Sequence, residues 1–432
     1  MKPFLSKGVG PILVVLWSLL IGPSGVHAGS PIWAQPPLTE LIEEAMVQNK
    51  EIKSLEESVE SLKELIPYAG SLQDPRIGLG ALNVPTDTFS FNQEPMTQKQ
   101  IAISQKFPWF GKLSLRSQRQ ASIANHQYWL LEARRFELAR QIAVAYYEIG
   151  YVGRGLEINN RLVELVEQLR KVAESRYATG KGLQQDVLEA HVELTKLLDE
   201  KVLLEREYRN LEDRINELLN RDRFNSVSPP DRLIYPDLKL DVTALQDQSL
   251  KQNPQLAARQ AEINQSEVEI RLAEKDYWPD MDVTLAYGQR GEDMTGRDLP
   301  DFVSGAIVVN VPLWFKTRQN KQLAATRKRF AAARDRYRNL VEALPYQVST
   351  LATDIGKFQE HYRLFTDALL PQAEQWAKSS LAAYQVRELE FDTMIRAQLQ
   401  VLRLELQSDR YLFNIYQKRA ELEELLGSQI LP

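Results

Sequence analysis

Met281-Asp282-Val283-Thr284-Leu285-Ala286-Tyr287-Gly288 alternates a large apolar side chain with a small or polar one. The same alternation runs from Val303 to Val311, where Ile307, Val309 and Val311 stand against Ser304, Ala306 and Asn310. A period of two puts every apolar side chain on one face of a strand. Earlier in the chain the pattern recurs, with Ile77, Leu79 and Ala81 against Gly78 and Gly80, and Ile101 and Ile103 against Ala102, Ser104 and Lys106. Strands are therefore expected over about 76–83, 100–107, 280–288 and 302–311, each near the length that crosses a bilayer when tilted. Polar, turn-rich loops, Val84 to Gln98 and Gln289 to Asp301, separate the members of each pair.

The strand pairs belong to a larger duplication. An offset of 204 places Leu38-Thr39-Glu40-Leu41 on Val242-Thr243-Ala244-Leu245, Gln48-Asn49 on Gln252-Asn253, and Pro75 on Pro279. It also places Ala102-Ile103, Pro108 and Lys112 on Ala306-Ile307, Pro312 and Lys316. The offset drifts to 206 for Ile149-Gly150 on Ile355-Gly356, and to 207 for Tyr177 on Tyr384 and Ala190 on Ala397. The expected organisation is a first repeat over 29–220, a linker over 221–238 that holds Pro229, Pro230 and Pro236, and a second repeat over 239–432. Each repeat reads helix, strand, strand, helix, helix, so the fold class is mainly α with β. Lys112 to Thr179 contains no proline and, if continuous, measures on the order of 100 Å. Its heptad seam from Ala121 to Tyr177 is largely apolar, as is that of the next helix at Leu183, Val187, Ala190, Leu194, Leu197, Leu204, Tyr208, Leu211, Ile215 and Leu218, which only Lys201 interrupts. Gly150, Gly153 and Gly155 predict a kink in the long helix.

Residues 1–28 read as a secretory signal: Lys2 and Lys7, the apolar run Ile12 to Ile21, a Gly22-Pro23 break, and Val26-His27-Ala28 before a mature start at Gly29. The 432 residues include no cysteine, which removes disulfides, thiolate metal sites and a lipid-bearing cysteine. Lys and Arg number 53 against 58 Asp and Glu, a net charge of −5 that disfavours nucleic acid as a partner. An exported chain with greasy-faced hairpins poses a closure problem. Membrane barrels need about 8 strands or more, and open edges are not tolerated in lipid, so several copies have to share one barrel; three would supply about twelve strands. A soluble four-stranded sheet packed on helices is the plain alternative.

Leu72-Gln73-Asp74-Pro75 before the first strand, Ser104-Gln105-Lys106-Phe107-Pro108-Trp109-Phe110-Gly111-Lys112 after the second, and Leu370-Pro371-Gln372-Ala373-Glu374 followed by Tyr384 resemble the TolC-related outer-membrane efflux channels. Arg176-Tyr177-Ala178-Thr179-Gly180 and Asp186-Val187-Leu188-Glu189-Ala190 add to the resemblance, which runs from Leu38 to Gly427. It implies a homotrimer in outer-membrane lipid: a 12-stranded β-barrel continued by a periplasmic α-helical barrel, with the linker and the C-terminal end forming an equatorial belt. Such a protein is a passive duct whose partners are a periplasmic adaptor and an inner-membrane pump of the RND type. The Asp-Pro and Phe-Pro-Trp-Phe-Gly-Lys segments look most like the heavy-metal efflux branch. By resemblance the periplasmic gate lies at Gly180, Asp186, Tyr384 and Asp392, although acidic positions of some relatives correspond here to Thr393 and Arg396. Pro75, Pro108, Pro279 and Pro312 mark the strand-to-helix corners.

Catalytic chemistry is hard to find. His126, His191 and His361 are scattered over different helices, and there is no glycine-rich phosphate loop followed by Lys-Ser or Lys-Thr and no Gly-x-Ser-x-Gly elbow. Glu43-Glu44 and Glu56-Glu57 sit on amphipathic helices and read as solvated faces. No enzyme activity, cofactor or metal site is expected. A periplasmic coiled-coil adaptor is the alternative reading; it normally carries one helical hairpin between small β domains, where this chain has two equivalent halves.

Overall fold

The computed structural model describes residues 36–222, 224–230, 233–386 and 388–428; the predicted signal segment and mature start lie outside them. The elements are α1 (Pro36–Gln48), α2 (Lys50–Gly70), β1 (Arg76–Leu82), β2 (Gln98–Phe107), α3 (Lys112–Ala178), α4 (Gln184–Leu219), α5 (Val242–Gln252), α6 (Pro254–Lys275), β3 (Met281–Gln289), β4 (Phe302–Val309), α7 (Gln319–Leu364), α8 (Leu370–Gln385) and α9 (Phe391–Leu426). A π-helical turn, Phe365–Leu369, joins α7 to α8.

The single leading helix expected in each half is two helices. Asn49 and Asn253 each leave helical geometry and cap the next helix, Asn49 accepting from the N–H groups of Glu51 and Ile52 and Asn253 from that of Leu256. Each also uses its amide nitrogen on a distant helix end, Asn49 donating to Leu218 O at 2.8 Å and Asn253 to Leu425 O at 2.9 Å. The duplication read from sequence is thus present as one repeated polar contact. An asparagine suits the position because it offers an acceptor to the free N–H groups and keeps a donor for a carbonyl at another helix end.

The glycine trio does not break α3, which is helical from Lys112 to Ala178. These residues serve close packing instead. A Cβ on Gly150 would lie 2.5 Å from Pro230 Cγ and 2.7 Å from Phe413 Cε1, and one on Gly155 would meet Leu204 at 3.4 Å. Pro230 belongs to the linker, whose described part is held against the helices: Val227 and Leu233 are buried with Tyr146, Tyr147 and Phe413, and the Tyr235 ring stacks on Tyr362 at 5.0 Å. Tyr416 Oη donates to Ile234 O at 2.7 Å. Beside this linker Arg154 bridges Glu157, Glu405 and Asp409, tying α3 to α9.

The interruption falls in the second half. Pro371 has no N–H to give, and Leu370 N bonds Phe365 O, one residue further back than an α-helix allows. A π turn accommodates one extra residue, and the sequence offset grows by one, from 206 to 207, between Gly150/Gly356 and Tyr177/Tyr384. Leu183, taken as the first seam position of its helix, is instead the exposed residue that precedes α4.

The two glycines paired by the repeat should respond oppositely to alanine. Gly150→Ala should destabilise the protein by about 1–3 kcal/mol through overpacking. Gly356→Ala, with nothing within 4 Å of the added methyl, should stabilise it by about 0.5–1 kcal/mol through helix propensity. Denaturant midpoints of the two variants decide the matter.

Candidate functional site

The four strands form one antiparallel sheet in the order β1-β2-β3-β4. Its register aligns Ile77, Ile103, Leu285 and Gly305 in one row and Leu79, Ile101, Tyr287 and Val303 in the next. Val283 and Ile307 share a third with Gln105, the polar departure on this face. The other face carries Gly78, Ala102, Ala286 and Ser304, then Arg76, Ser104, Thr284 and Ala306, with Ser104 and Thr284 hydroxyls 3.0 Å apart. Leu82, Val308 and Phe302 are the apolar departures on that side, and Phe302 lies under the Arg290 guanidinium. Among the described residues no element covers most of the apolar face: Leu79 is 81% exposed, Ile77 70%, Ile307 67% and Leu285 57%. Among the described residues both edge strands, β1 and β4, have one unpaired side. Among the described residues no helix is long and apolar enough to cross a membrane.

The predicted corners stand where strands meet helices. Pro75 directly precedes β1, Pro279 stands two residues before β3, Pro108 follows β2, and Pro312 lies between β4 and α7. Sequence reasoning named the Phe107-to-Lys112 segment but missed what it does. Trp109 stacks on Trp278 with ring centroids 5.0 Å apart. Lys112 is buried, and its Nζ lies 2.9 Å from Asp280 Oδ1, 3.2 Å from Trp278 O and 3.5 Å from Asp276. Asp280 also accepts from Trp109 N at 3.0 Å. Burial works to raise the Asp280 pKa, but Lys112 and the Trp109 N–H outweigh it and hold the carboxyl below its ordinary value. Gly111 makes the approach possible, taking φ +85° just before α3. Aromatic side chains gather at this end of the sheet, where Phe110, Trp278, Trp314 and Phe315 are all exposed.

At the far end of the long helices the predicted gate residues divide. Gly180, at φ +67°, ends α3 with a Schellman pair: Lys181 N to Arg176 O at 2.8 Å and Gly180 N to Tyr177 O at 2.9 Å. Its role is to turn the chain. Tyr384 is buried with Phe391, Met394, Ala173 and Ala190, so four helix ends meet around it. The Arg176 guanidinium lies 4.4 Å from its ring centroid and donates to its carbonyl at 3.3 Å. Burial raises the Tyr384 pKa; Arg176 opposes this and Asp186 adds to it. Asp186 sits in the first turn of α4, where the helix dipole favours a carboxylate. Asp392 pairs with Arg396 one turn on. Glu189 is raised by burial, with Arg396 opposing. No group of three His, Cys, Asp or Glu among the described residues is arranged to hold a metal ion.

Comparison with known proteins bears on both ends. The family described as outer membrane efflux protein matches residues 41–221. No curated protein sequence matches the chain. The solved structure of the outer-membrane channel OprN resembles it at 16% identity and a TM-score of 0.78, over 92% of this chain and 91% of that one. CusC, described in terms of transmembrane channel formation, matches at 14% identity and a TM-score of 0.77, over 92% of this chain and 94% of its own. The outer membrane protein VceC of Vibrio cholerae matches at 16% and 0.77, over 92% and 99%. This chain has the fold of outer-membrane channels. OprN and CusC are the two of these described as channels.

Lys112→Met should cost on the order of 3 kcal/mol because it leaves Asp280 buried without its cation, and adding Asp280→Leu should recover most of that loss. Unfolding curves of the single and double variants measure the coupling.

Proposed function

We propose that the chain is a passive exit duct of a tripartite efflux system, three copies sharing one outer-membrane barrel that continues as a periplasmic helical tube. The observation that carries the reading is the sheet: an apolar face left bare across all four strands, a small and polar face behind it, and two unpaired edges. A β3 of nine residues spans roughly 30 Å along the strand, or about 21–25 Å of height at a tilt of about 35–45°, close to the ~25 Å apolar band of such barrels. The aromatic side chains at the corners fit the girdle that such barrels place at the membrane interface. Unpaired edges in lipid require neighbours, which further copies supply.

The helices support the same assembly. Within the chain α4 packs on α3, α3 on α9 and α9 on α8, so α4 borders the helical layer on one side. It leaves Leu188, Val192, Leu198 and Val202 exposed at helical spacing, a seam suited to a helix of another copy. The family match over residues 41–221 and the resemblance of the motifs support an adaptor and an inner-membrane RND pump as partners. The Asp74-Pro75 and Phe107-to-Lys112 motifs support heavy-metal ions as cargo. The meeting of four helix ends at Tyr384 supports a gate there, with Asp186 and Arg176 beside the phenol and the Asp392–Arg396 pair on the adjoining turn.

Fractionation and native mass measurement test the assembly: a trimer in the outer membrane is expected, and a soluble periplasmic monomer overturns it in favour of an adaptor. Arginine at Val283 or Ile307 should cost about 2–4 kcal/mol if these face lipid near the midplane, whereas arginine at Thr284 should be tolerated. Equal sensitivity on both faces would mean a sheet buried against protein. For the gate, conductance of the purified trimer in planar bilayers is compared among wild type, Asp186→Ala, Tyr384→Phe and Asp392→Ala; at least one should conduct more, and no change in any removes these residues from the gate. Growth of a deletion strain on metals, dyes and drugs identifies the cargo.

A further inference from the structure

We propose that β4 of one copy pairs antiparallel with β1 of the next in a single register that sets Val309 opposite Leu79 of the partner subunit. This rests on the several-copy reading above and specifies its interface. The chain holds an internal template for that junction. Within it β2 pairs with β3, Gln105 opposite Val283 and Ile103 opposite Leu285. The 204-residue repeat carries β2 onto β4, so that Gln105 becomes Val309 and Ile103 becomes Ile307. It carries β3 back onto β1, so that Val283 becomes Leu79 and Leu285 becomes Ala81. Applied to two copies, the β2-β3 junction becomes a β4-β1 junction with Val309 opposite the partner's Leu79 and Ile307 opposite the partner's Ala81.

Two independent observations agree with this register. The first is parity. Val309 and Ile307 lie on the bare apolar face of β4, and Leu79 and Ala81 lie on the bare apolar face of β1. The apolar belt therefore runs unbroken across the junction, whereas a slip of one residue would set Gly78 or Gly80 opposite Val309 and turn one copy's polar face outward. The second is length. Apolar alternation in the sequence runs to Val311, yet β4 ends at Val309, and Val311 is 66% exposed. In the proposed register Val311 falls opposite the partner's Ile77, the second residue of a strand whose outer side is unpaired. Asn310 N still reaches Asp280 O at 3.2 Å within the chain, and the partner's β1 would carry the ladder past it to Val311.

The absence of native cysteine makes a direct test available, since introduced thiols are the only ones present. Val309→Cys with Leu79→Cys, and separately Ile307→Cys with Ala81→Cys, are oxidised in isolated outer membranes; the slipped pair Val309→Cys with Gly78→Cys is the control. Strands in register bring Cα atoms within disulfide range. The in-register pairs should give reducible bands at roughly two and three times the monomer mass, several-fold stronger than the slipped pair. Two pairs are used so that failure of one variant to reach the membrane leaves the other to decide. A stronger slipped pair, or no link in any variant that native mass shows to be trimeric, overturns the register and leaves the channel reading intact. A wild-type chain recovered as a monomer overturns both.

Discussion

Backbone hydrogen bonding is the constraint on which this architecture turns. A helix satisfies its own interior N–H and C=O groups, so α3 can run through 67 residues without help from a neighbour. A sheet cannot: each of its edges presents a row of unpaired groups, and four strands are too few to roll the sheet onto itself. The molecule is divided accordingly. Its helical part builds buried cores inside one chain, and its sheet leaves an apolar face and two edges for surroundings that a single chain does not provide.

The joint between these parts is where the two demands meet. Where β2 passes into α3, the chain must leave a flat ladder and start a helix within five residues, and it does so around Pro108, Gly111 and the buried Lys112. The ammonium is saturated by Asp280, Asp276 and a carbonyl, so one charge fixes the exit of one strand against the approach to the next. The second corner is built differently. Lys316 is exposed, Phe315 stands where the repeat would put the left-handed glycine, and α7 starts only at Gln319.

Much of the sheet was legible in the sequence because a period of two survives burial, exposure and lipid alike. The apolar set of β3 and β4 needed no knowledge of what would cover it. The helices were legible as long apolar seams, but their joints were not. Asn49 was noticed as a repeated residue, yet only its two hydrogen bonds explain why the leading helix restarts there. Gly150 was half legible, since a glycine that weakens a helix and a glycine that lets Pro230 and Phe413 approach look alike until the third dimension is known. The tip was half legible: Gly180 announced a turn, while the stacking of Arg176 on Tyr384 joins residues 208 apart, beyond any local pattern.

The π turn at Phe365–Leu369 has a geometric consequence for the two halves. One added residue in a continuous α-helix advances every later side chain by about 100° around the axis, enough to turn an inward stripe sideways. Here the wider turn takes up that residue where it enters, beside Pro371. Tyr177 and Tyr384 can then end their helices as true counterparts, although one lies exposed and the other is enclosed by four helix ends. The duplicated halves therefore differ at one place: α3 runs on in a single hydrogen-bonding pattern, and its counterpart carries one wider turn partway along.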